Sequence, residues 1–111
     1  MSYTAEQNIS LCFNNDKAFI YRLVELEEEV DNWHAIDLEV GSCYLSKDTK
    51  YIGLTSNPVK RATFHRTDKG KKLVMQIFRI ANTPAMAKYF EAEAIYFFEE
   101  KFGSVPEFQK G

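Results

Sequence analysis

The chain has 111 residues, which suits one domain, and its 45% apolar and 27% charged content is ordinary for a soluble globular protein. No stretch is long and apolar enough to span a bilayer, and residues 1–10 lack the basic start and apolar core of a signal peptide, so a cytoplasmic protein without a membrane partner is expected. A net charge of −2 argues against a uniformly basic nucleic-acid binder, although the charge is unevenly placed.

Residues 1–15 carry no clear structural signal. Asp16 can cap a helix over residues 16–32, in which Phe19, Leu23, Leu26 and Val30 recur at helical spacing. Seven acids and no Lys or Arg fall between Glu25 and Glu39. Residues 1–40 therefore read as an N-terminal extension whose acidic amphipathic helix packs on the core. Its acidic face reads as solvated surface, with mimicry of DNA or folding over a basic block as the sharper alternative. Cys12 and Cys43 match no zinc or redox spacing and read as free buried thiols.

Strand character begins near Ala35. Asp37-Leu38-Glu39-Val40 alternates polar and apolar, and Gly41 marks a bend. Cys43-Tyr44-Leu45 and Lys50-Tyr51-Ile52 flank the polar run Ser46-Lys47-Asp48-Thr49, which predicts a tight β-hairpin. Asn57-Pro58 is a helix start, Asn capping and Pro taking the first position. Arg61 and His65, four apart, share a face of that helix, which fades near Gly70. Six bases lie between Ser56 and Lys72 against one acid, Asp68. Lys60, Arg66, Lys69, Lys71 and Lys72 are thus candidate phosphate contacts. The run from Leu73 to Ile80 predicts a central strand, and Thr83-Pro84 opens a last helix stopped by Gly103. The predicted fold is α+β, a small three-stranded antiparallel sheet with flanking helices plus an extra N-terminal helix.

One constellation stands out. Tyr51-Ile52-Gly53 is followed by Thr55, by Arg61 ten residues after Tyr51, by His65 one helical turn later, and by Glu91 on the last helix, four before Ile95. Residues 43–100 thereby resemble a GIY-YIG nuclease module. Ser42-Cys43-Tyr44 stands where that family has Gly-Ile-Tyr, only seven residues before Tyr51 where about ten is usual. The resemblance implies a catalytic module over residues 41–111 that hydrolyses DNA phosphodiester bonds. Tyr44 or Tyr51 would serve as or assist the general base, Arg61 would clamp phosphate oxygens, His65 would move or orient a proton, and Glu91 would hold Mg²⁺ or Mn²⁺. With no appended DNA-reading domain, such a module would act with low specificity, as a homodimer, or under a guiding protein partner. The shortened hairpin supports an alternative, a catalytically impaired relative that binds nucleic acid or a protein, possibly as an inhibitor.

Overall fold

The computed structural model describes residues 17–109. Four strands form one mixed sheet: β1 (Ala18–Glu25), β2 (Ile36–Leu38), β3 (Thr49–Thr55) and β4 (Leu73–Ala81), in the spatial order β2-β4-β1-β3. A short 3₁₀ turn (Asn32–His34) precedes β2, and two helices, α1 (Pro58–Lys69) and α2 (Pro84–Phe102), complete the domain. β1 runs antiparallel to both β3 and β4, while β2 adds to β4 in parallel. The α+β class holds, but the sheet has four mixed strands where three antiparallel ones were expected.

The helix expected over residues 16–32 is replaced by β1. Phe19, Ile20, Tyr21, Leu23 and Val24 are all buried, so the segment is apolar on both faces. An i, i+4 recurrence is embedded in such a run by chance, and a continuous apolar run is also what a central strand requires. Phe19, Tyr21 and Leu23 pack with Ala62 of α1 on one face. Ala18 and Ile20 pack with Ala87, Ala94 and Phe98 of α2 on the other. β1 is an inner strand of the sheet, so Ala18–Glu25 is part of the core and not a helix packed on it. The expected cap Asp16 and Cys12 lie outside the described residues, and Cys43 is a free, half-buried thiol.

The hairpin over residues 43–52 also gives way. Residues 42–48 form successive turns, with Leu45 N–H donating to Ser42 O and Thr49 N–H to Ser46 O. β3 pairs instead with β1, whose apolar run is a better partner than a polar turn segment. Arg22 of β1 anchors the turns by donating to Asp48 Oδ1 at 2.7 Å and Thr49 Oγ1 at 3.1 Å. On the outer edge of β3, the Gln109 side chain accepts from Ile52 N–H and donates to Ile52 O, both at 2.9 Å. That amide supplies what a further strand would otherwise supply.

The punctuation read from the sequence holds. Asn57 Oδ1 accepts from Lys60 N–H and Pro58 opens α1, while Thr83 Oγ1 accepts from Met86 N–H and Pro84 opens α2. Gly103 ends α2 in the left-handed region at φ 83°, where a side chain would be strained. A bulge between β1 and β4 sends both Phe78 and Arg79 toward α2: Phe78 joins its apolar cluster and Arg79 lies over Phe90. Among the described residues no helix is long and apolar enough to cross a membrane.

Candidate active site

The β1–β3 pairing sets Tyr21 directly opposite Gly53. A Cβ on Gly53 would lie 2.6 Å from Tyr51 Cε2 and 2.7 Å from the Tyr21 hydroxyl oxygen. Only glycine lets the two tyrosines close over the strand at this point. The rings of Tyr21 and Tyr51 are 6.1 Å apart, and His65 from α1 meets both, at 5.8 Å and 5.3 Å. Three aromatic groups from two strands and a helix thus converge at the junction where the chain leaves β3 for α1.

The Tyr21 hydroxyl oxygen lies 2.8 Å from His65 Nε2, and both residues are buried. Burial is the main force on each. It pushes the Tyr21 phenol well above its ordinary range, and the neighbouring Tyr51 adds to the rise. Arg61 pulls the other way, by its charge and a hydrogen-bonding contact with the phenol, while the charge of Glu91 raises it further. Burial, then the positive charges of Lys69 and Arg61, bring His65 down to about 4. At neutral pH the pair is therefore an uncharged phenol and an uncharged imidazole. A neutral imidazole has one accepting nitrogen, and with Arg61 on the phenol oxygen the consistent arrangement has Tyr21 O–H donating to Nε2. The proton of His65 then sits on Nδ1, the one buried side-chain polar atom without a hydrogen-bond partner among the described residues.

The residues singled out in the sequence divide. Tyr51, Arg61 and His65 come together, and His65 is buried. Tyr44 does not join them. Its ring stacks on Phe78 at 4.7 Å, within the cluster on the α2 face of the sheet. Tyr21 takes the place expected of Tyr44. The available signal was Ile20-Tyr21 within a segment that satisfies a strand better than a helix.

Arg66 is also corrected as a phosphate contact. It is buried, and its guanidinium donates to the carbonyls of Lys71, Leu73 and Val30. Those bonds tie α1 to the turn before β4 and to the acidic connection after β1. That connection is itself bonded to the basic turn, Leu26 N–H donating to Lys72 O and Val30 N–H to Lys71 O. The backbone of the acidic connection thus runs beside that of Lys71 and Lys72. Lys69 pairs with Asp68. Lys60 and Arg61, at the other end of α1, are exposed and make no ion pair among the described residues. With Thr55, Ser56, Asn57 and Phe64 they line an open hollow of about 550 Å³.

Glu93, two residues on from Glu91 in α2, is occupied by Arg79 at 3.5 Å. Glu91 makes no ion pair among the described residues, and burial raises its carboxyl above the usual range. A carboxylate held at that cost gains from a cation beside it. Among the described residues no three His, Cys, Asp or Glu side chains gather as a metal-binding group. Set against protein-family models, curated proteins and solved structures, the chain finds no match in any of the three.

Proposed function

We propose that this protein is a GIY-YIG-type nuclease that hydrolyses DNA phosphodiester bonds with Mg²⁺ or Mn²⁺. The observation that carries the reading is the convergence of Tyr21, Tyr51, Arg61 and His65 over Gly53, with Tyr21 directly across β1–β3 from that glycine. Ile20-Tyr21 then matches the last two positions of the family's first motif, with Phe19 in place of its glycine, and Tyr21 faces Gly53, the last residue of Tyr51-Ile52-Gly53, on the neighbouring strand. The long excursion through β2 between the two strands accounts for their distance in sequence.

In this reading Arg61 holds the scissile phosphate, matching two phosphate oxygens with its planar fork. Tyr21 receives a proton from the attacking water as its own proton passes to His65 Nε2, while the P–O bond to the leaving oxygen breaks and that oxygen takes a proton from solvent. A concerted relay of this kind avoids a free phenolate, which the burial of Tyr21 disfavours. Glu91 would hold the divalent cation, which when bound supplies charge neutralisation at the phosphate. Lys60 adds a phosphate contact that carries no sequence information.

The test is cleavage of duplex, branched and single-stranded DNA by purified protein with Mg²⁺ or Mn²⁺, against Arg61→Ala and Glu91→Gln. Divalent-dependent cleavage lost in both variants is expected, and no cleavage of any substrate by the wild type would refute the nuclease reading. A binding protein without catalysis is the second reading. It is favoured by the resting state of the Tyr21–His65 pair, in which both groups are uncharged and buried. It predicts salt-sensitive DNA binding, or capture of a protein partner, that is indifferent to Glu91→Gln.

A further inference from the structure

The hollow beside Arg61 carries a feature that phosphate binding leaves unexplained. Phe64 is 60% exposed on a helix whose buried side is Pro58, Ala62, His65 and Arg66. A lone exposed apolar residue needs no explanation. Phe64 is different because it lies one helical turn from both Lys60 and Arg61 and shares the hollow with them. Its ring is also braced, meeting the His65 ring edge-on at 5.7 Å and 68°. A braced aromatic surface flanked by two cations without ion pairs is the arrangement that binds an unstacked nucleobase and its phosphate. The volume, about 550 Å³, falls within the range of small-ligand clefts.

Resting on the nuclease reading above, we propose that Phe64 forms a base-stacking subsite, and that the site therefore takes DNA with an unpaired nucleotide in preference to continuous duplex. In a continuous duplex every base is already stacked between neighbours, so none reaches Phe64 without being extruded. An unpaired base meets no such barrier. Stacking it on Phe64 sets its phosphate toward Lys60 and Arg61, beside the Tyr21–His65 pair.

The experiment measures binding without cleavage, by fluorescence anisotropy in EDTA with labelled oligothymidine and a labelled blunt duplex. Wild-type protein is expected to prefer the single strand. Phe64→Ala should weaken single-strand binding about tenfold and leave duplex binding nearly unchanged. Phe64→Trp should restore it, whereas Phe64→Leu, which keeps apolar bulk without a π-face, should not. In a Trp33→Phe background, the Phe64→Trp indole is the one tryptophan of the chain, and oligothymidine should quench its emission. Equal affinity of Phe64→Ala and wild type for the single strand overturns the subsite, as does an equal loss on both DNAs. Phe64-dependent binding without cleavage in Mg²⁺ overturns catalysis and leaves the subsite standing, while absence of all DNA binding overturns both.

Discussion

Acidification below pH 6.5 should destabilise this protein through His65. Its pKa of about 4 in the folded chain lies below the ordinary 6.5. A group with a depressed folded pKa contributes stability above its unfolded pKa, and that contribution is lost as pH falls toward the folded value. Above pH 6.5 both states hold a neutral imidazole. Between 6.5 and about 4 the unfolded chain takes up a proton that the folded chain refuses. The slope approaches about 1.4 kcal/mol per pH unit and the total reaches about 3 kcal/mol, a large share of the stability of a small domain. Tyr21 bounds the other side: its phenol titrates above the ordinary 10.0, so stability falls again as pH rises past that value. The assay is urea unfolding followed by circular dichroism from pH 7.5 to 4.5, for wild type and His65→Gln. Glutamine can still accept from Tyr21 but does not titrate. The stability difference between the two proteins should shrink by two or more kcal/mol across this window, an order-of-magnitude figure. A flat difference would refute the reasoning, as would an NMR titration that places His65 at or above 6.5. His34, the only other histidine, is exposed and readily told apart.

Three further outcomes follow from the site. If the nuclease reading holds, Tyr21→Phe should lower the cleavage rate roughly a hundredfold or more with the fold retained, the scale of a lost general base, whereas Tyr44→Phe should stay within about threefold; single-turnover cleavage compares them. Gly53→Ala forces a methyl to within 2.8 Å of both tyrosine rings and should cost about 1–3 kcal/mol while displacing the Tyr21 hydroxyl; thermal melts and the Tyr ring NMR shifts read both effects. Arg66→Ala leaves the carbonyls of Lys71, Leu73 and Val30 without their shared donor and should destabilise by about 2–4 kcal/mol, whereas Lys60→Ala should weaken DNA binding with stability unchanged; paired denaturation and anisotropy measurements separate the two roles.

Local sequence carried the punctuation of the fold and the grouping of four candidate residues. Asn57-Pro58, Thr83-Pro84 and Gly103 act through bonds between near neighbours in the chain, so the two helices were legible without knowledge of the rest. Tyr51, Gly53, Arg61 and His65 lie within fifteen residues on one strand–helix unit, and local structure alone brings them together. Tertiary structure decided everything that depends on strand partnership. Phe19, Leu23 and Val30 satisfy a helical period, and only coverage of both faces by α1 and α2 makes Ala18–Glu25 a strand. Once β1 lies between β3 and β4, Tyr21 falls opposite Gly53, and Tyr44 is left stacked on Phe78 on the far side of the sheet. Ile20-Tyr21 is a local hint, but the choice between the two tyrosines is settled by pairing with Gly53, about thirty residues along the chain from Tyr21. Arg66 depends on tertiary structure in the same way. A guanidinium on a basic helix looks like a phosphate contact until the fold surrounds it with carbonyls that only a buried donor can satisfy.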